Sequence, residues 1–139
     1  MRKIFLLACI SLIACTIPID PVNVEDLSVE LEVIHIIHDP DFEQITIVGG
    51  SGRVVVQAPF CSPTGGYELR PELSRDPELG VVLTVRGVQV APGLTVADCR
   101  LFNANVFGFQ PGRYRVTLQY MFDAREEVRM IAREVIVVR

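Results

Sequence analysis

Both histidines of the chain lie in one short segment with three carboxylates, "HIIHDPDFE" (35–43). Its possible metal ligands are His35, His38, Asp39, Asp41 and Glu43. These residue types bind divalent metal ions. In a strand, however, His35 and His38 point to opposite faces, because side chains alternate. We therefore interpret the segment as a strand that runs into an acidic, solvated turn, with a metal site as the less favoured alternative.

No nucleophile can be paired with a base in this sequence. A Ser-His-Asp set would need a distant serine, and nothing in the sequence marks one. "IVGGSG" (47–52) is typical of a turn between two strands. No glycine-rich phosphate loop opens a helix. The sequence therefore predicts no catalytic residue, no cofactor, no metal and no small-molecule substrate, and an enzyme is the less favoured class.

The charge balance is acidic, with 17 Asp and Glu against 13 Lys and Arg. Lys3 is the only lysine, so the remaining basic side chains are arginines, histidines aside. Scattered arginines on an acidic chain argue against binding to nucleic acid or to anionic lipid headgroups.

The N-terminus begins with Arg2 and Lys3, continues with the apolar run 4–14 and reaches Cys15 in the sequence "LIAC". The run is too short to span a bilayer as a helix. This pattern resembles the lipobox of bacterial lipoproteins, in which the cysteine becomes the lipidated first residue. The resemblance implies a signal peptide over 1–14, a lipidated Cys15 with a tether over 15–26, and a domain over 27–139. Thr16 follows where an aspartate would favour the inner membrane, so the resemblance implies an outer-membrane location.

The cysteine count then leaves one pair. Cys9 leaves with the signal peptide, Cys15 takes the lipid, and Cys61 and Cys99 remain. An exported protein folds in an oxidising compartment, so we expect Cys61 and Cys99 to form a disulfide. The alternative is a metal site, but the pair has neither CxxC spacing nor a nearby histidine.

Alternation of apolar and polar residues dominates the chain after residue 26. The segments that indicate strands are 27–33, 45–48, 54–56, 67–73, 80–90, 101–109, 111–122 and 128–139. The second and third of these are two strands or one bent strand. Pro71 cannot donate to a ladder and predicts an edge strand or an early strand end. Residues 123–135 also suit a helix, but their β-branched end favours a strand. We predict an all-β fold, a single antiparallel β-sandwich.

"QPGRYRVTLQY" (110–120) resembles the late strand of many immunoglobulin-like bacterial domains. In those domains a Pro-Gly turn precedes an aromatic residue and an alternating strand. The resemblance implies an immunoglobulin-like sandwich, in which Tyr114 packs at a corner and its hydroxyl finds a backbone partner.

One loop is a candidate for recognition, formed by Pro63, Thr64, Gly65, Gly66 and Tyr67. "PTGGY" resembles a hairpin motif of a bacterial family associated with a protease complex. More distantly, it is similar to the loop that chagasin-like inhibitors insert into the cleft of cysteine proteases. This chain has Ser62 where that loop has an asparagine. The alternative is a tight turn, with both glycines at positive φ and Tyr67 as the first core residue of its strand.

These features predict a lipid-anchored envelope protein without catalysis, acting as a binding or structural module. Its expected partners are the membrane, through the anchor, and another envelope protein. The module would present an apolar surface patch, for which Phe102, Phe107 and Phe109 are the candidates. The alternative function is a protease inhibitor of chagasin-like type that uses residues 62–67.

Overall fold

The described part of the chain is built almost entirely of strands. The structure is a computed structural model that describes residues 18–37, 44–62, 65–91, 98–122 and 127–139, without the side chains of 35–37. These residues form one short 3-10 helix, Val24–Asp26, and eight strands. The strands are β1 (Ser28–Ile37), β2 (Thr46–Gly49), β3 (Arg53–Ser62), β4 (Tyr67–Asp76), β5 (Gly80–Gln89), β6 (Asp98–Phe107), β7 (Gly112–Phe122) and β8 (Glu127–Val138). None of the described helical residues belongs to a helix long and apolar enough to cross a membrane.

The strands form two four-stranded sheets, with the orders β1-β6-β3-β2 and β4-β5-β7-β8. This confirms the prediction of an all-β sandwich. Five of the six strand pairs are antiparallel, whereas β5 and β7 run parallel. The parallel pair arises because β6 crosses to the first sheet and returns the chain to the end of the sandwich where β5 began. β7 then runs in the same direction as β5.

The core lies between the two sheets, where alternate residues of each strand point inward. In β7 the alternate residues Tyr114, Val116, Leu118 and Tyr120 are all buried. The centre of the first sheet contributes Val54, Val56, Ala58, Phe60, Phe102, Ala104 and Val106. Burial of this apolar surface stabilises the fold by about 25 cal/mol per Å².

Several predictions about individual strands are confirmed. Pro71 lies in β4, which is an edge strand of the second sheet. The glycine-rich segment around Gly52 (φ +65°) separates two strands, β2 and β3, that pair with each other. β8 is a strand, because Ile136 and Val138 on it enter the core. The Tyr114 hydroxyl donates to the carbonyl of Gln110 at 2.8 Å, as the corner motif predicts.

The sandwich has two ends, and the strand registers assign each connection to one of them. At the first end Gly112 pairs with Val138, and β4 turns into β5 at Asp76 and Gly80. We call this the Gly112 end. At the opposite end Cys61 pairs with Cys99, and Tyr67 pairs with Gln89. We call this the disulfide end. A ten-residue strand spans about 30 Å between them.

Candidate functional site

The predicted disulfide between Cys61 and Cys99 is present. The two residues face each other across β3 and β6, with their Cα atoms 4.0 Å apart. Phe60 and Ser62 on either side point into the core, so Cys61 lies on the outer face of the sheet and is exposed. The bridge therefore links two neighbouring strands of one sheet and does not cross the core.

The candidate loop connects the two sheets. Since β3 belongs to the first sheet and β4 to the second, the chain between them crosses from one sheet to the other, and the two strands do not form a hairpin. Gly66 has φ +74°, and a Cβ there would meet the Ala91 carbonyl oxygen at 2.8 Å. Gly65 does not have a positive φ, so only one of the two glycines adopts the backbone conformation that the turn interpretation requires of both. Pro63 and Thr64 lie outside the described residues.

The second half of the loop is held against the end of β5. The Gly66 carbonyl accepts hydrogen bonds from the backbone N–H groups of Val90 (3.0 Å) and Ala91 (3.1 Å). The Gln89 side-chain amide donates to the Gly65 carbonyl at 3.1 Å and to the Ala91 carbonyl at 2.6 Å. These hydrogen bonds give the backbone of Gly65 and Gly66 a defined position. The space beside Gly65 is open, since a Cβ there would meet nothing within 4 Å.

Tyr67 is a core residue, as the alternative interpretation of the loop expects, and is only 5% exposed. Its hydroxyl lies near the carbonyl oxygens of Asp98 (3.2 Å) and Phe60 (3.4 Å). Burial, followed by the nearby Asp98 carboxylate, raises the pKa of Tyr67 to about 12, against a smaller opposing effect of Arg100. Tyr67, the first residue of β4 after the loop, thus contacts both β3 and β6.

Arg100 organises the polar side of this site. Its guanidinium carbon lies 4.3 Å from the centre of the Tyr67 ring, a cation–π geometry. The same guanidinium donates to the Tyr67 carbonyl at 3.0 Å and pairs with the Asp98 carboxylate at 3.1 Å. The side chains of Arg100 and Asp98 remain about one-fifth exposed, at 22% and 21%. They can therefore still contact a partner while they support the loop.

Sequence reasoning missed Asp98, Arg100 and Gln89. Asp98 and Arg100 flank Cys99 and lie on one face of β6, since residues two apart in a strand share a face. Opposite charges at that spacing beside a bridged cysteine were the available signal. Nothing in the local pattern indicated that Gln89 would bind a loop 23 residues earlier.

The predicted apolar patch is wrong at two of its three residues. Phe102 (0% exposed) and Phe109 (4%) are core residues, and Phe107 is half-buried. Exposed apolar side chains occur on several other elements, among them Val128, Met130, Val135 and Val137 of β8.

The remaining candidates are only partly described. Cys15 lies outside the described residues, as do His38, Asp39, Asp41 and Glu43, and the side chain of His35 is not described. Among the described residues, no three His, Cys, Asp or Glu side chains come together in a group able to hold a metal ion. Comparison with protein-family models, with curated proteins and with solved structures found no match to this chain.

Proposed function

We propose that this protein is a lipid-anchored bacterial envelope protein that acts without catalysis, as a binding or structural module. Acyl chains on Cys15 hold it at the membrane, and we favour the outer membrane over the inner one as its location. Each buried CH₂ group of such a chain contributes about 0.8 kcal/mol, so two or three chains give stable anchoring.

The observation that carries this proposal is the Cys61–Cys99 disulfide. Disulfides persist in oxidising compartments and are rare in the cytosol. An exposed bridge such as this one is open to cytosolic reductants, so it suits a protein that is exported. Export is also what the positively charged, apolar segment before Cys15 implies.

The anchor is tested by expressing the full chain in a bacterium with Cys15→Ser and, as a matched control, Cys9→Ser. We expect the unchanged chain and the Cys9→Ser variant to fractionate with membranes and to carry acyl chains on Cys15 by mass spectrometry. The Cys15→Ser variant should lose both properties. A mature chain without acyl groups, or one that starts at another residue, would contradict the proposal.

The binding role is supported by the rigid disulfide end. The bridge, the Gln89 amide and the Arg100 guanidinium all restrain the chain around Gly66. A restrained surface loses little conformational entropy when it binds, which favours recognition. The expected partner is another envelope protein.

Photo-crosslinking in living cells tests this role. Val90 is 58% exposed and belongs to the disulfide end, so a photoreactive residue in its place should give a discrete adduct with an envelope protein. The same residue at Glu78, which is exposed at the Gly112 end, serves as the control and should not give that adduct. Adducts of equal yield from both positions, or from neither, would count against a binding surface here.

Protease inhibition is a second candidate, favoured by the restraints on Gly65 and Gly66. The buried Tyr67 limits it, since its ring is packed in the core and is not available to a protease cleft. An assay against papain-like proteases at micromolar concentration tests this function. Inhibition that a Thr64→Arg substitution abolishes would support it, and no inhibition would remove it.

A further inference from the structure

The segment that precedes β1 is bound to the domain well before the first strand begins. Asp20 makes two hydrogen bonds with the backbone of Arg113, at the start of β7. Its N–H donates to the Arg113 carbonyl at 2.7 Å, and its Oδ2 accepts from the Arg113 N–H at 2.8 Å. One residue thus satisfies both backbone groups of Arg113.

Two glycines of the domain leave room for this segment. A Cβ on Gly112 would lie 2.4 Å from Oδ2 of Asp20, so glycine leaves room for the carboxylate. Val22 packs against the core two residues later. Gly108 (φ +100°) then makes room for Asp26, whose carbonyl oxygen a Cβ there would meet at 2.3 Å. The segment therefore lies close against the domain at both Asp20 and Asp26.

This docking leaves little free chain between the domain and the proposed anchor. Cys15 is five residues before Asp20, and five extended residues reach at most about 17 Å. The predicted tether of residues 16–26 would instead allow roughly 30 Å or more. Asp20 is bound at the Gly112 end, so that end must stay close to the lipid.

We propose that the docked segment orients the sandwich on the bilayer. The Gly112 end and the β4–β5 turn lie against the membrane surface, and the disulfide end lies about 30 Å farther away. The inference rests on the proposed anchor at Cys15. It specifies which surface is left for a partner in the aqueous phase: the one built from Gly66, Asp98 and Arg100.

Energy transfer from two labelled positions to headgroup-labelled lipids tests the orientation in vesicles. Glu78→Cys places a dye in the β4–β5 turn, and Glu68→Cys places it near the other end of β4. Both residues are exposed glutamates. Glu68 loses only a surface ion pair with Arg70, which contributes little. We expect several-fold more efficient transfer from position 78 than from position 68.

Two further variants test the contact that sets the orientation. Asp20→Ala removes the acceptor for the Arg113 N–H and should reduce the difference between the two labels. Glu25→Ala removes a nearby exposed carboxylate and leaves both Asp20–Arg113 hydrogen bonds in place, so it should leave the difference unchanged. A difference that survives Asp20→Ala in full would show that the docked segment does not set the orientation.

The outcomes separate this inference from the proposed function. Protein without acyl groups on Cys15 would overturn the anchor, and the orientation with it. Acylated protein on vesicles with equal transfer from positions 68 and 78, or with greater transfer from 68, would overturn the orientation and leave the anchor standing.

Discussion

Tyrosine hydroxyl groups make hydrogen bonds between the two sheets at the disulfide end. Backbone ladders run within each sheet and do not cross the core, so a polar link through the core must come from side chains. Tyr67 on β4 bonds the carbonyl oxygens of Phe60 and Asp98, and Tyr120 on β7 bonds that of Pro59. Each bond satisfies a buried phenol that would otherwise cost about 1–3 kcal/mol.

The same burial predicts how stability depends on alkaline pH. The chain has three tyrosines and no tryptophan, and desolvation raises the pKa of Tyr67, Tyr114 and Tyr120. Their unfolded-state pKa is about 10. The raised folded-state pKa means that this stabilisation is fully present below about pH 10. It is lost as pH rises through the folded value, which is about 12 for Tyr67.

We therefore expect the free energy of unfolding to fall as the pH rises above about 10. Tyrosinate absorbance should appear together with loss of the strand signal in circular dichroism. In denaturant the same absorbance should titrate near the ordinary phenol pKa. Tyr67→Phe should flatten the decline in stability above pH 10. Full tyrosinate formation at pH 10 in the folded protein would contradict the burial of these groups.

At the scale of elements, the disulfide joins strands that already pair. β3 and β6 share a ladder from Arg53–Phe107 to Ser62–Asp98, and each has a second neighbour in the sheet. The bridge is not needed to bring these strands together in the native state. Its main effect is on the unfolded chain, in which it closes a loop of 38 residues.

Replacement of both Cys61 and Cys99 by serine should therefore lower the free energy of unfolding by about 3–4 kcal/mol while the strand signal in circular dichroism persists. Urea unfolding followed by circular dichroism measures both. A reducing agent added to the unchanged chain should give a matching loss, since Cys61 is exposed. Collapse of the strand signal in the double variant would mean that the bridge is required for strand pairing itself.

At the scale of the whole molecule, the second sheet has two different edges. β4 carries Pro71, which has no N–H to offer to another strand. β8 is longer, and the residue that follows it bonds the β2–β3 turn, where the Arg139 N–H donates to the Gly50 carbonyl at 3.0 Å. The earlier part of β8 exposes Val128 (50%) and Met130 (56%). Charged side chains such as Arg133 protect such an edge against pairing with another molecule.

This contrast predicts how the molecule associates. Arg133→Val should increase the fraction of dimers and larger species in sedimentation experiments, because it extends the exposed apolar edge. Arg70→Val makes the same change on β4, beside Pro71, and should leave the distribution unchanged. Equal association of the two variants would mean that hydrophobicity alone, and not the pairing capacity of the edge, controls self-association.

Much of the fold could be predicted from the sequence because alternation along a strand is a local property. In β7, for example, the inward face includes the alternating apolar residues Tyr114, Val116 and Leu118. The pairing of Cys61 with Cys99 followed from elimination, since only two cysteines remained once Cys9 was assigned to the predicted signal peptide and Cys15 to the predicted anchor. The hydrogen bond of Tyr114 spans only four residues, which kept it within a recognisable motif.

The contacts between strands and loops could not be predicted, because they join residues that are far apart in the sequence. Arg100 lies over Tyr67 across 33 residues of sequence, and Asp20 binds Arg113 across 93. Gly87 leaves space for Phe60, whose ring carbon Cζ would lie 2.9 Å from a Cβ at that position. Whether the candidate loop was a hairpin or a crossing depended on which strands β3 and β4 pair with. An alternating pattern specifies the faces of a strand but not its neighbours, because long-range pairing depends on how every strand packs at once.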